Sequence, residues 1–144
     1  MSETTARTNE SKSIIALDVG DKRIGVAHAD TSTRIAVAYT TIEVDGLEFE
    51  RLRAIIAELE PAIMVVGFPR NQSGATTKQT DKVRAFARQL ERFGIEIVFQ
   101  DESLTSVLAE KYLKSLNKPY ARAEIDAHAA AIILGDFLEI NFGA

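Results

Sequence analysis

Three acids occupy similar positions along this chain. Asp18 closes the apolar run Ile14-Ile15-Ala16-Leu17, Glu102 stands just past the run from Ile95 to Phe99, and Asp126 opens an apolar helical stretch. A carboxylate among strand residues is costly to bury unless it is paired or coordinates a metal. Three carboxylates brought to one semi-buried place raise one another's pKa, so they stay ionised together only around a cation. Hard divalent ions with oxygen ligands, Mg²⁺ or Mn²⁺, are the natural partners. Two such ions ~3.5–4 Å apart activate a water and stabilise the leaving oxygen in phosphodiester hydrolysis. Asp18, Glu102 and Asp126 are therefore the candidate catalytic residues and the candidate ligands of two such ions.

Each acid has a plainer alternative. Asp126 could be a helix N-cap, and Glu102 a solvated acid ahead of a helix. Asp18 is harder to explain away, because a short acid closing a central strand is seldom only structural. Asp101 and Asp30 also follow strands, where turn formation is their ordinary role. His28 sits inside a strand and His128 two residues beyond Asp126, which is not a same-face helical spacing. Neither is a good ligand candidate, and no Ser/His/Asp arrangement suggests itself. The chain has no cysteine, which excludes disulfides, thiolate metal sites and a cysteine nucleophile.

Candidate phosphate contacts surround the acids. Lys22 and Arg23 follow Asp18 across the turn at Gly20. The loop of residues 67–74, Gly-Phe-Pro-Arg-Asn-Gln-Ser-Gly, precedes a capping-box pattern at Thr76-Thr77-Lys78-Gln79. Its main-chain N–H groups could cradle a phosphodiester ahead of a helix N-terminus. Arg70, Asn71, Gly74 and Lys78 are the expected contacts there; an ordinary strand-to-helix loop is the alternative. Two basic stretches suit flanking phosphates: Lys78, Lys82, Arg84, Arg88 and Arg92 on one helix face, and Lys111, Lys114, Lys118 and Arg122 further on. Each alone is more often a solvated face, but they contrast with an acidic first helix.

The elements that position these groups are legible from periodicity. Residues 13–19 do not alternate, which predicts a strand buried on both faces. Residues 24–29 and 35–42 predict two more strands, joined by short turns into an antiparallel meander. Helical spacing covers residues 46–60, ended by Pro61. A short strand at 62–66 follows by a crossover of the length a parallel pair requires. A helix from about Thr76 to Arg92, stopped by Gly94, leads to a strand at 95–100. A further helix runs to about Ser115 with Leu104, Val107, Leu108 and Tyr112 toward the core. The last, 126–137, is apolar almost all round and should be heavily buried. The fold class expected is α/β, a five-stranded mixed sheet of antiparallel and parallel pairs flanked by helices.

At 144 residues, 46% hydrophobic and 26% charged, the chain fits one domain, taken as residues 13–144 after a polar tail of 1–12 that is expected to be disordered. No apolar run reaches the ~20 residues of a membrane span, and no secretory signal is evident, so a cytoplasmic location is expected. The net charge of −4 taken alone argues weakly against nucleic-acid binding, but its distribution matters more than its sum.

Four segments resemble the YqgF (RuvX) family. These are Leu17-Asp18-Val19-Gly20-Asp21-Lys22-Arg23-Ile24-Gly25-Val26-Ala27, Val65-Val66-Gly67-Phe68-Pro69-Arg70-Asn71-Gln72-Ser73-Gly74, Asp101-Glu102-Ser103-Leu104-Thr105-Ser106 and Ile125-Asp126-Ala127-His128-Ala129-Ala130-Ala131-Ile132-Ile133-Leu134. The resemblance implies an RNase H-like fold and a nuclease that matures the 5′ end of precursor 16S rRNA, with an older label of Holliday junction resolvase homologue. It places the family's acidic site on Asp18, Glu102 and Asp126. Ser103 stands where the family usually has Arg, Arg70 where an apolar residue is usual, and Asp21 is more acidic than the norm.

The expected function is metal-dependent endonucleolytic cleavage of structured RNA, with precursor rRNA or ribosomal precursor particles as partners and a monomer or homodimer as the active form. The nearest alternative is a dimeric resolvase of branched DNA. An actin-like or sugar-kinase ATPase shares the Asp-x-Gly turn but needs two such lobes, and a non-catalytic assembly module would not need the full carboxylate set.

Overall fold

Ile14, Ile15, Ala16 and Leu17 are each fully buried, and a strand with both faces covered belongs at the middle of a sheet. In the computed structural model, which describes residues 11–69, 78–102 and 105–143, β1 (Ser13–Val19) takes that place. β2 (Arg23–Asp30) and β3 (Val37–Glu43) extend the sheet antiparallel on one side. β4 (Ile63–Pro69) and β5 (Glu96–Glu102) extend it parallel on the other, giving the order β3-β2-β1-β4-β5. The five-stranded mixed sheet is the one expected from periodicity. Of the tail expected over residues 1–12, residues 1–10 lie outside the described residues, as do the expectations for Arg70, Asn71, Gly74, Thr76, Thr77, Ser103 and Leu104. The Lys12 N–H donates to the Thr31 hydroxyl at 2.8 Å.

Side-chain alternation along β1 divides the core into two layers. Ile14 and Ala16 pack with Val65 and with Ala130, Ile133, Leu134 and Phe137 of the terminal helix, α4 (Arg122–Phe142). Ile15 and Leu17 pack on the opposite face with Leu52 of α1 (Glu48–Leu59) and Val83 and Leu90 of α2 (Lys78–Leu90). A 3₁₀ turn, Glu91–Phe93, prolongs α2, and Gly94 at φ 67° ends it where the sequence predicts. α3 (Thr105–Ser115) rests on α4.

The structure corrects several expectations. β4 runs on through Gly67, Phe68 and Pro69, and β5 through Asp101 and Glu102, because the two strands pair as Gly67–Gln100, Phe68–Asp101 and Pro69–Glu102. Ladder hydrogen bonds thus carry strand past the end of the apolar pattern. Gly67 is therefore a strand residue rather than the start of a phosphate loop, and Glu102 ends a strand rather than following one. α4 begins at Arg122, a full turn before Asp126, with the Glu124 carboxylate accepting from the Ala121 N–H at 3.0 Å. Asp126 is accordingly no N-cap. On α3 the core side is Ala109 and Leu113, while Val107, Leu108 and Tyr112 are about half exposed. Tyr112 still touches α4, its ring centre 5.3 Å from that of His128.

Candidate active site

The α4 face of the sheet carries Asp18, by alternation with Ile14 and Ala16. Asp18 sits opposite Gly25 of β2, and Gly25 in turn opposite Thr41 of β3. On the other side, Gly67 lies one step beyond the Leu17–Val66 pair and opposite Gln100. A row Thr41–Gly25–Asp18–Gly67–Gln100 therefore crosses the sheet, with a glycine on each side of the acid.

Both glycines make room for the other two carboxylates. A Cβ on Gly25 would lie 1.9 Å from the Asp126 carbonyl oxygen and 2.9 Å from the Ala127 nitrogen. Only glycine lets the helix backbone descend onto β2 at that point. Thr41 adds a tether, its hydroxyl donating to the Ala123 carbonyl at 2.5 Å. A Cβ on Gly67 would lie 2.1 Å from Glu102 Oε2 and 2.6 Å from Ile133 Cδ1, so its absence is the space the Glu102 carboxylate fills. Gly20 closes the turn after β1: its N–H donates to the Arg23 carbonyl at 2.9 Å, and a Cβ there would crowd that oxygen. Gln79 of α2 donates to the Val19 carbonyl at 3.1 Å and ties that helix to the same end of β1.

Like charge is felt across the trio. Burial, and secondly the Asp126 carboxylate, push the Asp18 carboxyl up to about 6. Burial, and secondly the Asp18 carboxylate, push Glu102 up to about 8. Asp18 is thus the middle member, coupled to both others. Among the described residues a cation meets the trio at Arg23, whose Nε donates to Asp126 Oδ2 at 2.6 Å. The donor set fits hard divalent ions in its chemistry: oxygen ligands only, two of them disfavoured as bare anions, beside two glycines whose missing side chains admit α4 and Glu102. As the side chains stand, no three acids or histidines among the described residues form a ready-made ligating group.

The other candidate contacts are placed as follows. Lys22 is exposed in the turn after β1, where its carbonyl accepts from the Val44 N–H at 2.9 Å. Lys78 is exposed at the first position of α2. Arg23 contacts Asp126 rather than standing open in the turn. Asp21 pairs with Lys82 at 3.1 Å on the surface. Two cations of the basic α2 stretch stack on rings: Arg84 lies 5.0 Å from the Phe68 ring centre and Arg92 4.5 Å from that of Phe49. His28 accepts or donates a hydrogen bond with the Ser13 hydroxyl at 2.9 Å, and His128 packs against Tyr112. Sequence reasoning missed Gly25, Gly67 and Thr41. An isolated glycine within a strand pattern, as at Gly25, signals close backbone approach, though not what approaches.

A RuvX family model, described as Holliday junction resolvase, matches residues 12–140. A protein of Thermoanaerobacter pseudethanolicus, named as a candidate pre-16S rRNA nuclease, is 40% identical over 132 residues, 88% of this chain and 95% of its own length. Proteins of the same name from Crocosphaera subtropica and from a Picosynechococcus species are 40% and 43% identical, covering 90% and 87% of this chain and 94% and 90% of their own. Among solved structures, RuvC of T. thermophilus in complex with a Holliday junction substrate superposes with a TM-score of 0.53 at 12% identity, over 91% of this chain and 96% of that one, a likeness of fold. The chain belongs to the RuvX family.

Proposed function

We propose that the chain is a metal-dependent endonuclease of structured RNA that acts in maturation of precursor 16S rRNA. The observation that carries this is the glycine-flanked Asp18 on the central strand, close enough to Glu102 of β5 and Asp126 of α4 for like charge to be felt within each pair. Relatives about 40% identical over most of the chain and named for pre-16S rRNA cleavage support the RNA substrate over branched DNA.

Asp18, Glu102 and Asp126 would hold Mg²⁺ or Mn²⁺ through oxygen ligands alone. Two such ions, when bound, supply an activated water and charge stabilisation at the leaving oxygen. The chain's own residues do the rest. Gly25 and Gly67 set how closely α4 and Glu102 approach the sheet beside Asp18. Lys22, exposed in the turn after β1, and Lys78, at the start of α2, offer positive charge to the substrate backbone. No helix among the described residues is long and apolar enough to cross a membrane. The proposed rRNA substrate puts the site of action in the cytoplasm.

Cleavage of precursor 16S rRNA and of a four-way DNA junction, each with Mg²⁺, Mn²⁺ or chelator, tests this proposal. Metal-dependent cutting of the RNA is expected. Paired cuts in the junction, with the RNA untouched, would replace it with the resolvase alternative.

A further inference from the structure

We infer that Arg23 is a built-in counter-cation of the carboxylate site, held on Asp126 while no divalent ion is bound and displaced from it when one binds. The inference rests on the proposed reading of the trio as a metal site. Its basis is the Arg23 Nε–Asp126 Oδ2 contact of 2.6 Å, between side chains that are 25% and 22% exposed.

The fold holds the two backbones that carry this contact. Arg23 opens β2 and is held in register opposite Glu43. Two residues on, Gly25 lets the Asp126 backbone rest on the same strand. Main chains locked at both ends, though 103 residues apart in sequence, present guanidinium and carboxylate to each other. The remaining ion pairs among the described residues, Arg51–Asp45, Lys82–Asp21 and Lys114–Glu110, involve none of the three acids. Among the described residues, Arg23 is thus the cation paired with a member of the trio.

A divalent ion would contest that place. Mg²⁺ demands oxygen ligands at about 2.0–2.1 Å in near-octahedral array, and two cations repel at such range. As the side chains stand, no trio of acids among the described residues is ready to ligate. Ion and guanidinium then compete for Asp126, and linkage requires each to weaken the other. The opposite arrangement would have the ion take the other carboxylate oxygen while Arg23 orients Asp126 from behind, as outer-shell partners do. The two differ in sign.

Mn²⁺ titration by calorimetry of wild type, Arg23→Gln and Arg23→Lys decides between them, with thermal melting in chelator and in Mn²⁺ as a second readout. Competition predicts that Arg23→Gln binds Mn²⁺ at least about fivefold more tightly than wild type. It also predicts that this variant melts lower in chelator and gains more from Mn²⁺, while Arg23→Lys, which keeps the charge, stays near wild type. Affinity that is unchanged or weaker in Arg23→Gln would overturn the inference and leave the metal site standing. Absence of Mn²⁺ binding by all three chains would overturn both.

Discussion

At the scale of residues, the site is an electrostatic conflict that the fold tolerates. Asp18 and Glu102 are both raised, by burial first and by a neighbouring carboxylate second. A raised carboxyl binds its proton more tightly folded than unfolded, so the fold loses stability as the group ionises. Asp18 moves from 3.8 to about 6 and Glu102 from 4.5 to about 8. The metal-free protein should therefore be more stable at pH 5 than at pH 8, with the loss falling across that interval. Denaturant midpoints in chelator measure it, and a midpoint that rises between those values would contradict the cause given. Asp18→Asn, which removes the middle charge, should flatten the profile.

The two glycines give a second residue-scale test, because their neighbours differ in kind. A methyl on Gly25 meets main chain of α4, which cannot turn aside, whereas on Gly67 it meets the ends of the Glu102 and Ile133 side chains. Gly25→Ala should cost about 1–3 kcal/mol, the range of an overpacked core, and lower cleavage as well. Gly67→Ala should cost less stability but displace Glu102, so its defect appears mainly in cleavage. Urea unfolding run beside a cleavage assay separates the two. Equal stability losses would show that side-chain yielding does not matter here.

At the scale of elements, legibility follows how far each depends on its neighbours. β1 spans 13–19 as its apolar run predicts, since a strand covered on both faces leaves its full pattern in sequence. β4 and β5 outrun their apolar runs because pairing, not burial, sustains Phe68–Asp101 and Pro69–Glu102. α4 starts earlier than expected because Asp126 has the residue type of a cap, while the true N-cap is Ala121, supported by Glu124. α3 has two candidate faces, and only packing on α4 selects Ala109 and Leu113. That selection predicts that Leu113→Ala costs ~2–5 kcal/mol. Leu108→Ser should lie within about ±0.5 kcal/mol, as surface changes usually do. Denaturation midpoints check both, and a costly Leu108→Ser would restore the face expected from periodicity.

At the scale of the whole molecule, the acids were visible as residue types at the ends of apolar runs, but their meeting place was not. It depends on a parallel crossover that brings Glu102 beside Gly67 and on a long helix laid across β2 at Gly25. Arg23 shows the same limit: its charge beside Asp18 is plain in sequence, its partner 103 residues away is not. The central claim is that these three carboxylates do the cutting. Cleavage and binding of precursor 16S rRNA, measured side by side for wild type and Asp18→Asn in Mg²⁺, test it most directly. Cleavage should fall by more than the ~10–100-fold typical of losing an outer-shell partner, with the fold and most of the RNA affinity intact. Full cleavage by a folded Asp18→Asn protein would contradict it.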